Sequence, residues 1–92
     1  MVLTQTTKLI EGNYSPQEAK EILIDLINNE INFLRLKNLS SEIRFGKPDS
    51  ESWNRAEELD AARKELLQIL QDAKHTQKCI AIDSSIQIRI EN

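Results

Sequence analysis

The sequence predicts an α+β domain of order β-α-α-β. A long antiparallel two-helix hairpin is expected to pack on a small antiparallel sheet formed by the N- and C-terminal strands. Three observations predict it. Ser15-Pro16-Gln17-Glu18 is a helix-start signal, two long segments repeat apolar residues every three or four positions, and the tail alternates isoleucine with polar residues.

The first element is read from Leu3 to Glu11, a run rich in threonine and branched apolar residues with no helical period. Gly12-Asn13 follows and suits a turn. Ser15 then offers its hydroxyl to the third helical N–H while Glu18 reaches back to the Ser15 N–H. Pro16 occupies the first helical position, where its missing N–H costs nothing. Ala19, Ile22, Leu23, Leu26 and Ile27 recur at helical steps, and Phe33, Leu34 and Leu36 extend the apolar supply. The helix is expected over 16–38, with a further turn through Ile43 towards Phe45, stopped by Gly46 and Pro48. Asn28-Asn29 weakens the helix at its middle and marks the place for a kink.

Asp49 or Ser50 is expected to cap the second helix, which runs to about residue 75 through Trp53, Ala56, Leu59, Arg63, Leu66, Leu67, Leu70 and Ala73. Glu51–Arg55 and Asp60–Lys64 are acid-before-base pairs four apart, each adding a few tenths of a kcal/mol. Lys74 and His75 suit the negative end of the helix dipole. In the tail Ile80, Ile82, Ile86, Ile88 and Ile90 share one parity, while Cys79, Ala81, Asp83, Ser85, Gln87 and Arg89 share the other. One strand with a buried and a wet face fits that pattern, bulged at Ser84. A hairpin turning at Asp83-Ser84-Ser85 is the alternative, though no glycine stands where its turn needs one.

The chain of 92 residues makes a single domain, 1–92. Its size leaves a small margin of stability, and its single cysteine, Cys79, excludes an internal disulfide. The start of the chain lacks the charged and apolar stretches of a secretion signal, and no apolar run nears the ~20 residues that span a bilayer. A cytoplasmic protein without membrane contact is the expectation. A two-stranded sheet is marginal in water and leaves both edges open, so pairing of two copies into a homodimer is expected to complete it.

The net charge of −3 is unevenly spread. Residues 35–47 carry Arg35, Lys37, Arg44 and Lys47 against Glu42, while 1–34 and 48–75 each sum to −3. An acidic total disfavours nucleic acid, which binds basic faces. The four bases, with Phe45 among them, form the one candidate contact for an anion or a partner. Trp53, at the start of the second helix, is expected to plug the core and close the hairpin. Left exposed, it becomes a candidate partner anchor.

Other constellations carry less. His75 and Cys79, four apart, straddle the helix–strand junction, and no third group orients the imidazole as nucleophilic catalysis needs. Asp72, His75, Cys79 and Asp83 match no zinc-ligand spacing. Glu57, Glu58 and Asp60 read as a solvated face rather than an acid–base pair. Gly12 and Gly46 alone cannot build a phosphate loop. The expectation is therefore no catalytic residue, no metal and no cofactor. Lys8 to Leu23, Ser40 to Asp49 and the alternating-isoleucine tail resemble small uncharacterised bacterial proteins, a resemblance that implies no activity and no site residues. The function expected from the sequence is a non-enzymatic interaction or assembly module. The alternative is a small regulator that contacts nucleic acid or another anion through residues 35–47.

Overall fold

Ser15 starts the first helix with both halves of the reciprocal cap formed. The Glu18 N–H donates to Ser15 Oγ (3.1 Å), and the Ser15 N–H donates to Glu18 Oε1 (3.0 Å). The computed structural model, which describes residues 3–91, shows four elements in the expected order. They are β1 (Leu3–Tyr14), α1 (Pro16–Phe45), α2 (Ser50–His75) and β2 (Ile80–Ile90). Replacing Ser15 with alanine removes one capping acceptor and is expected to cost about 1 kcal/mol in a urea titration.

α1 is unbroken over 30 residues or ~45 Å, and the further turn expected towards Phe45 is continuous with it. No break occurs at Asn28-Asn29, because Asn28 has a partner across the hairpin: its Oδ1 accepts from Arg63 Nη1 at 2.6 Å. Arg63 also pairs with Asp60 on its own helix, and Lys64 reaches the same carboxylate at 3.4 Å. The expected Asp60–Lys64 pair thus forms. Arg55 instead turns to Glu58 (2.9 Å) rather than to Glu51.

Gly46, at φ 72°, ends α1 in the left-handed conformation that glycine adopts without a Cβ penalty. The connection to α2 is clasped by polar groups. Asn38, buried on α1, accepts from the Asp49 N–H (2.9 Å), and Ser41 Oγ donates to the Lys47 carbonyl (3.0 Å). Asp49 precedes α2 as its cap residue, but its side chain takes the Ser52 hydroxyl (3.0 Å) instead of a backbone N–H. α2 ends in a Schellman motif: Lys78 N–H donates to the Ala73 carbonyl and Gln77 N–H to that of Lys74. Gln77 holds the left-handed position at φ 54°. Gln77→Gly is therefore expected to raise stability by about 0.5–1 kcal/mol, read as a higher thermal midpoint.

β1 and β2 pair antiparallel, from Leu3 opposite Ile90 to Tyr14 opposite Ile80. β2 is one continuous strand. The bulge lies in β1, at Leu9, opposite the Ser84-Ser85 step. It changes the parity of β1. Leu3 and Thr7 face the same side as Ile90 and Ile86, and past the bulge Ile10, Gly12 and Tyr14 share that side with Ser84, Ile82 and Ile80. Without the extra residue Ile10 would join Asp83 on the wet face. Gly12-Asn13 is not a turn. Gly12 pairs with Ile82, and the Tyr14 ring lies over it, 3.4–3.5 Å from where a Cβ would stand.

The core is small and lies where the sheet meets the helices. Ala19, Leu70 and Ile82 are its buried centre, with Ile10, Tyr14, Leu23 and Ile80 against them. Ile31, Leu34 and Ala56 continue the seam between α1 and α2. Only the half of the ribbon next to Tyr14 and Ile80 lies on the helices. The expectation that the whole apolar face covers the hairpin is thus met for half its length. The far half overhangs, with Leu3, Ile86, Ile88 and Ile90 all exposed.

Candidate functional site

Four bases that are neighbours in sequence do not form one patch. Successive helical residues lie 100° apart, so Lys37 and Arg44, two turns apart, share a face that Arg35 does not. Lys37 and Arg44 line a shallow apolar groove with Phe33, Leu36 and Phe45. Arg35 lies on another side, with Trp53, Leu39 and Ala56. Lys47 sits in the connection, its carbonyl engaged by Ser41.

Trp53 is not the core plug of the hairpin. It is 53% exposed, and the place next to it is filled by Ser52, which is buried. Its emission is expected near the long-wavelength limit of water, with ready quenching by iodide; a blue-shifted, shielded spectrum would contradict this placement.

Many large apolar side chains are exposed. Leu26, Phe33, Leu36 and Ile43 follow one another along the side of α1 turned away from α2, and each is exposed. A helix apolar on opposite sides is normally covered on both. The overhanging ribbon supplies the second apolar surface. Sequence periodicity missed both, because a wide apolar stripe reads equally as one generous core face.

The chain folds into an extended shape. Its radius of gyration is 16.5 Å and its axes measure 50 × 34 × 14 Å. A compact chain of this length has a radius near ~12 Å. Its accessible surface is 7341 Å². A folded monomer of this mass exposes ~5,500 Å², so about 1,900 Å² is in excess.

Among the described residues three titratable groups depart from their ordinary range, each for a local reason. Hydrogen bonds from the Ser15 N–H, and after it from the Ser15 hydroxyl, hold the Glu18 carboxyl below 4.5. Lys64, followed by Arg63, holds Asp60 below 3.8 against partial desolvation. Glu11, ahead of Asp83, raises Lys8 above 10.5. These groups serve a helix cap, a hairpin contact and the ribbon, and they share no cleft. For both acids the unfolded chain binds protons more readily. Their contribution is complete above about pH 5 and is lost as pH falls through the depressed folded values. The Lys8 contribution has the opposite sign, present below 10.5 and lost as pH rises above it. Urea midpoints are expected to hold steady from neutral to about pH 5 and then fall on acidification. A midpoint that rose in acid would contradict the two carboxylate contacts.

His75 closes α2, and Cys79 is exposed beyond the Thr76-Gln77-Lys78 turn. Asp72 accepts the Thr76 hydroxyl at its backbone carbonyl, and Asp83 lies on the wet face of β2 beside Lys8. Among the described residues no three His, Cys, Asp or Glu side chains come together as a metal set, and no helix is long and apolar enough to cross a membrane. No family model, curated protein or solved structure matches the chain.

Proposed function

We propose that the chain is a non-enzymatic assembly module whose working form is a homodimer. The observation that carries this reading is the excess of exposed surface. About 1,900 Å² per protomer beyond a compact fold is more than twice the ~800 Å² each partner buries in a standard stable interface. That surface includes Leu3, Ile86, Ile88 and Ile90 on the ribbon and Phe33, Leu36 and Ile43 on α1, apolar groups whose exposure to water is unfavourable.

The size of the core points the same way. A cluster centred on Ala19, Leu70 and Ile82 is little to hold a sheet on a helical hairpin. A two-stranded ribbon with an uncovered half is marginal alone, and association supplies the missing cover. Folding and assembly are then coupled, so stability depends on protein concentration. Thermal melts at 2 and 200 µM are the test. The midpoint is expected to rise by several degrees across that range; a midpoint independent of concentration would count against self-association.

A further inference from the structure

We infer that the two copies join through the free edge of β2, antiparallel about a two-fold axis at Ile86, making a four-stranded sheet of order β1-β2-β2-β1. This rests on the self-association proposed above and names its interface.

The two edges of the ribbon differ. β1 carries the bulge at Leu9 and the Lys8–Glu11 ion pair, both features that discourage a further strand. β2 is regular over Ile80–Ile90, and among the described residues no strand lies on its outer side. Its alternation also fixes which registers keep Ile with Ile, since pairing must match parity.

Charge then selects among those registers. On the wet face Glu11 stands directly opposite Asp83, a like-charged pair. Lys8 bridges the two, at 3.2 Å from Glu11 and 3.4 Å from Asp83, which leaves one negative charge uncompensated. Arg89, on the same face of the overhanging half, is opposite Thr4 and among the described residues pairs with Glu91 at 3.6 Å. Centring the two-fold at Ile86 sets Asp83 opposite Arg89 of the second copy, and by symmetry this happens twice. No other parity-matched register pairs these two residues. Opposite charges directly across strands stabilise a sheet and like charges destabilise it.

The same register places the overhang. Ile90 comes beside Ile82 of the second copy, the strand position packed against Ala19 and Leu70. Ile88 comes beside Ser84 of the second copy, which is half-buried. The exposed isoleucines of each ribbon therefore extend the covered half of the other.

The test is a charge-reversal cycle on the full chain, read by sedimentation, with a cross-link beside it. Asp83→Arg and Arg89→Asp are each expected to raise the dimer dissociation constant about tenfold or more, because each creates two repulsive pairs per dimer. The double variant is expected to recover to within a few-fold of the parent. Arg89→Asp leaves the Lys8 bridge intact and removes within its own chain the exposed Arg89–Glu91 pair, a class of contact that contributes little. That pair is equally absent from the double variant, so the rescue isolates the contact between copies. In a Cys79→Ser background Ile86→Cys is expected to cross-link to itself under mild oxidation, while Gln5→Cys on the outer strand is not. A parent that is a dimer but shows no rescue, or no Ile86→Cys cross-link, overturns the strand pairing and leaves self-association standing. A parent that stays at 10.6 kDa removes both.

Discussion

Leu70→Ala is expected to lower stability by about 2–5 kcal/mol, with the urea midpoint falling and the far-UV signal of the ribbon lost together with that of the helices. Leu70 is 5% exposed and sits between Ala19 of α1 and Ile82 of β2, so it touches both helices' end of the hairpin and the sheet. Small chains commonly hold only ~5–10 kcal/mol in reserve, and a loss of this size consumes a large part of it. The cavity would not be refilled, because Ala19 is already fully buried and has no side chain to move inward. A contrasting outcome, a loss below about 1 kcal/mol, would mean that the ribbon is not anchored through this cluster.

Ile88→Lys is expected to weaken association by about a hundredfold or more while the chain keeps its helical spectrum. Ile88 is 57% exposed in the protomer. In an isolated chain, lysine at such a site is close to neutral, usually within ±0.5 kcal/mol. In a dimer the substitution acts twice, and each copy loses roughly 1.5–3 kcal/mol of apolar burial and gains a charge in a covered place. The two readings of the same residue therefore differ by several kcal/mol. Size-exclusion chromatography at micromolar concentration separates them, since a neutral effect on elution would argue that the overhang stays wet.

The order of elements was legible because local and long-range signals agree there. Ser15, Pro16 and Glu18 mark a boundary by their own hydrogen bonds, and the tail's isoleucines repeat with the period of a strand. What stayed hidden depended on partners distant in sequence. Asn28 reads as a weak helical residue until Arg63, 35 positions away, donates to it. Gly12 reads as a turn until Ile82 and the Tyr14 ring claim it. The bulge at Leu9 has no composition of its own; it follows from the need to keep Ile10 with Ile82 once Thr7 is paired with Ile86.

The candidate site was less legible for a related reason. Arg35, Lys37, Arg44 and Lys47 are clustered in the sequence, and a helix distributes such a cluster around its axis. Trp53 belongs to an apolar period, yet Ser52 is the residue that turns inward, holding the Asp49 carboxylate. The apolar side of α1 facing away from α2 and the overhanging ribbon are properties of the assembled protomer. No window of sequence displays them.

Sedimentation equilibrium at low micromolar concentration is the most direct measurement of the central proposal, that two protomers share the surface each leaves uncovered. A mass of twice 10.6 kDa, falling towards the single-chain value only on strong dilution, is the expected result. A single-chain mass that persists up to hundreds of micromolar would contradict it.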